Sequence, residues 1–184
     1  MRFEDIRKIG FGGGCHWCTE GVYQSLIGID QVDQGWISSK GKQSNFSEAV
    51  VVHFDQRVIC LASLIEIHLY THASTSNHSM RDKYRSAIYT FDDVQLDETN
   101  KILSELKSEF DKTIITQVLP FAAFKENKVE LADYFYQSPN KPFCKSYIHP
   151  KLKLLLSRFN SQVNIKKLDL AGVEFASDSS FQQD

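Results

Sequence analysis

The sequence predicts an α+β fold, a ferredoxin-like split βαβ core with a C-terminal extension. Three observations lead there. Short apolar, β-branched runs alternate with helical periodicity in the order strand, helix, strand, strand, helix, strand, which packs helices on one face of a sheet containing antiparallel pairs. The chain has 184 residues, of which 42% are hydrophobic and 24% charged, so one domain with a substantial core is expected. More periodic segments follow the sixth element and must extend that core. A single catalytic domain is expected over residues 1–175, with a disordered tail over 176–184, where Ser, Gln and Asp dominate.

Ile6 to Phe11 is a short apolar run stopped by Gly12-Gly13-Gly14, the pattern of a buried strand ending in a flexible turn. From Cys15 onward Val22, Leu26 and Ile29 recur at helical spacing, with Gly28 as the stop. Ile29 to Ile37 reads as a strand, Ser38 to Ser44 as a polar hairpin connection, and Glu48 to Phe54 as a β-branched partner strand. Leu61, Leu64, Ile65 and Leu69 share one face of a helix from Leu61 to Tyr70. A polar loop, Ser74 to Asp82, separates it from a strand at Tyr84 to Thr90. The extension reads as a helix at Glu98 to Phe110, a strand at Thr113 to Val118, a short helix at Glu130 to Gln137, a Pro139 to Pro142 loop and a helix at Leu152 to Phe159.

Lys and Arg total 21 against 23 Asp and Glu, a net charge of −2, which excludes the basic field of non-specific nucleic-acid binding. Apolar runs such as Leu154-Leu155-Leu156 fall far short of the roughly 20 residues of a membrane span. The N-terminal residues mix both charge signs, unlike a secretory leader. A cytoplasmic protein is therefore expected, with neither membrane nor nucleic acid as partner. Four cysteines, Cys15, Cys18, Cys60 and Cys144, are too few for a disulfide scaffold, and a close pair points instead to catalysis or metal binding.

In Gly12-Gly13-Gly14-Cys15-His16-Trp17-Cys18-Thr19-Glu20 a glycine turn delivers Cys15 to a helix start. Unpaired N–H groups and the positive end of the dipole favour a thiolate there, and Cys18, three residues on, shares its face. Zinc would need a second ligand pair. His68 and His72 offer i, i+4 spacing, which packing explains as well, and no metal is expected. A thioredoxin-like redox site and an inert helix start with buried thiols remain open at this level.

The motif also resembles the G-C-F-W-[CG]-x-E signature of the A-type peptide methionine sulfoxide reductases. Ser47 to Asp55 resembles the family's H-A-E-V-V-x-V-x-Y-D-P strand, and Lys83 to Tyr89 its Q-Y-R-S-A-I-Y strand. Ala132 to Cys144 resembles its late segment ending N-P-x-G-Y-C. The similarity implies a reductase of methionine-S-sulfoxide, in peptides or free, and no cofactor. By resemblance Cys15 attacks the sulfoxide sulfur and becomes a sulfenic acid. Glu48 protonates the oxygen, Tyr84 holds that oxygen, and Trp17, with His16 beside it, receives the methyl group. The sulfenic acid is resolved by Cys144 in first place and Cys18 in second. Thioredoxin or a similar dithiol reduces the disulfide. Cys60 matches nothing and reads as a small buried residue.

Departures from the family pattern accompany the matches. His16 stands where the family has Phe, Ser79 where it has Asp and Lys83 where it has Gln, and the loop before Glu48 is shorter. Two polar groups around the reacting oxygen are thus expected to be missing, a loss of a few kcal/mol each in such sites. Two other functions compete: a general thiol-disulfide oxidoreductase using Cys15 and Cys18, and a non-catalytic module that binds methionine peptides.

Overall fold

The computed structural model describes residues 6–173. Six strands form one mixed sheet in the order β5-β4-β1-β3-β2-β6. Its centre is the expected split βαβ unit: β1 (Ile6–Gly12), α1 (His16–Gln24), β2 (Ile29–Ser38), β3 (Ser47–Asp55), α2 (Leu61–Thr71) and β4 (Ala87–Thr90). β3 lies antiparallel between β1 and β2, and β4 lies antiparallel to β1 on its other side. Both βα units therefore cross over on one face. There Phe11, Val22, Tyr23, Val50, Val52, Leu64 and Ile65 are buried in the main core. The other face is thinner, with Ile37, Val51 and Tyr89 under Leu119 and Phe124 of the extension.

Outside this unit the boundaries move. β4 is shorter than Tyr84 to Thr90 because Tyr84 N–H turns back to Met80 O at 2.9 Å. α3 runs over Asp93–Leu106 rather than Glu98 to Phe110, since Asp92 caps it by accepting Gln95 N–H at 2.7 Å. β5 is Gln117–Pro120 rather than Thr113 to Val118, and β6, Ala123–Glu126, was not foreseen. Pro120 is tolerated because β5 is an edge strand. The helix expected at Glu130 to Gln137 contracts to α4 (Tyr134–Gln137), behind the left-handed Asp133 (φ 53). A π-helical turn, Cys144–Ile148, leads into α5 (His149–Arg158), which starts before Leu152 with Pro150 in its first turn. A last helix, α6, covers Ile165–Leu170. Gly28 (φ 73) does not end α1, which stops at Gln24, but makes the turn into β2. The tail expected over 176–184 lies outside the described residues.

Gly35 marks the closest approach of β2 to β6, where an added Cβ would sit 2.1 Å from Lys125 O. Gly35→Ala should accordingly destabilise the fold by about 1–3 kcal/mol, the usual cost of overpacking. Chemical denaturation would read it, and an unchanged midpoint would contradict the packing. Among the described residues no helix is long and apolar enough to cross a membrane.

Candidate active site

The site is built on the turn between β1 and α1. At Gly13 an added Cβ would lie 2.4 Å from His72 Cδ2, so glycine alone lets the turn pass beneath that ring. His68 and His72 are otherwise engaged: His68 Nε2 with Gly12 O at 3.0 Å and His72 Nε2 with Ser86 Oγ at 2.8 Å, and burial pushes His72 down to about 4. Cys15 follows as the N-cap of α1, with non-helical ψ of 129°, and its carbonyl accepts Cys18 N–H at 3.1 Å and Thr19 N–H at 3.2 Å.

Cys15 is half-buried and its thiol pKa is lowered, first by hydrogen bonding from the Cys18 thiol and then by the Trp17 and Cys18 amides. Burial and the Glu48 charge oppose the shift. Cys18 moves the opposite way, raised by the same pairing and by burial. One thiol of the pair is thus set up as the anion and its neighbour as the donor. Removing the donor in Cys18→Ala should move the midpoint of Cys15 alkylation to higher pH, whereas Cys18→Ser should move it less. Iodoacetamide rates against pH measure this, and an unmoved midpoint in Cys18→Ala would discard the pairing.

Glu48 is buried on β3. Its Oε2 accepts His16 N–H at 3.2 Å, and Lys83 Nζ stands 3.3 Å from Oε1. The carboxylate so ties the first residue of α1 to the sheet. Lys83, read from the sequence as a missing amide, instead brings a positive charge to the carboxyl group. Ser79 is exposed and joins none of this.

His16 is buried, its Nδ1 3.1 Å from Gly35 O and its ring against the edge of Trp36 at 5.1 Å. Burial lowers its pKa, with Glu48 opposing. Trp17 is stacked in parallel on Tyr134 at 4.1 Å, and Phe143 meets its ring edge-on at 5.5 Å. α1 and the extension therefore build the aromatic wall together. Sequence reasoning missed Tyr134 and Phe143, although the aromatic run Tyr134-Phe135-Tyr136 was a visible signal.

Tyr84 lines a cavity of about 730 Å³ together with Cys15, Cys18, Phe143, Tyr147 and Lys151. Glu48, His16 and Trp17 do not line it. Cys144 is fully buried, its thiol directed to Ser138 O at 3.4 Å. It sits in the π-helical turn rather than on the free loop expected around Pro139 to Pro142. Cys60 is exposed, not buried, because its sulfur caps α2 by accepting Ser63 N–H.

A family model described as peptide methionine sulfoxide reductase matches residues 7–163. The chain belongs to the peptide methionine sulfoxide reductase family. It is an oxidoreductase, a peptide-methionine (S)-S-oxide reductase, as the three motifs implied. A relative from Trichodesmium erythraeum, named peptide methionine sulfoxide reductase MsrA, is 30% identical over 175 residues, covering 86% of this chain and 99% of that protein. In fold the reductase is similar to reduced Mxr1 from Saccharomyces cerevisiae (TM-score 0.68, 23% identity, 79% of this chain and 93% of that one). It is also similar to Mxr1 in complex with Trx2 (TM-score 0.57, 23% identity, 72% of this chain and 87% of that one). The family match takes in α1, β3, Tyr134, Phe143 and Cys144.

Proposed function

We propose that Cys15 is the nucleophile of this reductase and Glu48 its proton donor. The Cys15 thiolate attacks the sulfoxide sulfur while the Glu48 carboxyl gives its proton to the oxygen. The new sulfur–sulfur bond and the S–O bond then break as the OH group passes to the Cys15 sulfur, so methionine leaves as the thioether, Cys15 carries S–OH and Glu48 is left ionised. The observation that carries this reading is the junction at α1, where a thiol lowered in pKa adjoins a residue whose N–H is held by the buried Glu48. Trp17, backed by Tyr134, is the wall for the methyl group, His16 stands beside it and Tyr84 holds the oxygen. Lys83 adds positive charge where negative charge develops.

Cys18 is the first resolving thiol and Cys144 the second, the reverse of the order expected from the sequence. What supports this is the place of Cys18 in the first turn of α1, its N–H bonded to Cys15 O at 3.1 Å, and the complete burial of Cys144. The Cys18 thiol and the sulfenic acid condense to a disulfide and water. A thioredoxin-type dithiol then reduces the disulfide, consistent with the Trx2 complex of the yeast neighbour. Such a reductant suits a cytoplasmic setting. The test is turnover of each epimer of a methionine sulfoxide with dithiothreitol, and with thioredoxin, for wild type and Cys15→Ser. S-epimer turnover lost in Cys15→Ser supports the assignment, whereas insulin reduction without sulfoxide turnover would favour a general dithiol oxidoreductase.

A further inference from the structure

His16 is joined to the buried carboxyl of Glu20, one turn further along the same face of α1, through two amide side chains. Glu20 is 1% exposed, and burial lifts its carboxyl to about 7 against the pull of its donors. Those donors are Asp133 N–H at 2.9 Å, Tyr134 N–H at 3.1 Å and Gln34 Nε2 at 2.8 Å. Gln34 Oε1 accepts Asn127 Nδ2 at 2.6 Å, and the same Nδ2 reaches His16 Nε2 at 3.4 Å. His16 Nδ1 faces Gly35 O at 3.1 Å.

The direction of every donor in this row follows from its ends and sides. Gln34 Nε2 reaches both Glu20 Oε2 and Leu131 O, the latter at 3.2 Å, and a backbone carbonyl accepts only, so Gln34 must present its NH₂ on that side whichever protonation state Glu20 holds. Its oxygen then faces Asn127. Asn127 is fixed independently, because its Oδ1 accepts Lys128 N–H at 2.9 Å and only its NH₂ is left for Gln34 and His16. His16 therefore meets a donor at Nε2 and a carbonyl at Nδ1. Only the neutral ring with its proton on Nδ1 satisfies both contacts.

We propose that Glu20, Gln34 and Asn127 act as positioning residues that fix His16 as the neutral Nδ1–H tautomer. The charged groups facing the ring are Glu48, whose Oε2 is 3.7 Å from Nδ1, and Lys83 beyond it. A protonated His16 would set a second cation beside Glu48, which already faces Lys83 Nζ at 3.3 Å. The Asn127 amide blocks this by offering a donor where an imidazolium needs an acceptor. The consequence for Glu48 rests on the proton-donor reading above, but the tautomer itself does not. The same carboxylate also holds the backbone of Tyr134, whose ring backs Trp17.

The test is long-range ¹H–¹⁵N NMR of the ring nitrogens in the reduced protein, with His16→Phe identifying the His16 signals among the six histidines. Wild type should show a protonated Nδ1 and a bare Nε2 at pH 7, and the ring should titrate below its ordinary value of about 6.5. Asn127→Asp puts an acceptor at Nε2 and should move the proton there or charge the ring. An Nε2–H signal in wild type, a titration at the ordinary value, or an unchanged tautomer in folded Asn127→Asp would each overturn the proposal. The wild-type spectra decide even where a variant does not fold. A wild-type rate in Glu48→Gln with the tautomer intact would count against the proton-donor role alone.

Discussion

Glu48→Gln should lower kcat by about 10²–10⁴-fold, the range for removing a positioned general acid, with KM and thermal midpoint little changed. The amide keeps the shape of the side chain, and its oxygen can still accept His16 N–H, the contact that ties α1 to β3. The NH₂ group must then face Lys83, whose ammonium is also a donor. Lys83 is exposed and can swing into water, so the conflict costs little. What the variant cannot do is release a proton to the departing oxygen. Steady-state kinetics with the S epimer, beside a melting curve, separates lost chemistry from lost fold. A kcat near wild type would remove Glu48 from the acid role and shift attention to Lys83.

The split βαβ core was legible because its two periods are written without interruption. Val50-Val51-Val52 lies on the central strand, and Leu61, Leu64, Ile65 and Leu69 mark a helix face that the structure buries. The extension was less legible for local reasons. The start of α3 is set by the Asp92 cap, while Val94 in its first turn is 77% exposed and carries no periodic signal. β6 has four residues, none buried, too short for alternation to register.

At the site the Cys15 placement was readable, since a glycine turn before a helix has a local meaning. Partners distant in sequence were not. Glu20 reads as an ordinary helix carboxylate until Asp133 and Tyr134 fold over it. Lys83 read as the loss of an amide because a substitution names what is removed, not where a long side chain will reach.

Cys18→Ser should uncouple the first half of the reaction from the second. The chemically reduced variant is expected to release one methionine per Cys15, because the nucleophile and Glu48 are untouched. Thioredoxin-driven turnover should then fall on the order of 10²-fold or more, since an external thiol must replace one held beside the sulfenic acid. Closing a ring between residues three apart would distort a regular helical turn, but Cys15 stands outside it. As the N-cap, with ψ of 129°, it projects its sulfur from extended backbone, and only Cys18 is helical. Cys144→Ser should keep most of the thioredoxin-driven rate, because that thiol is buried in a helical turn and must be exposed before it can react. Rapid quench for the burst, steady-state turnover and peptide mapping of the disulfide would together read the order. A Cys15 to Cys144 bond in wild type, with turnover kept in Cys18→Ser and lost in Cys144→Ser, would mean that the π-helical turn opens during every cycle.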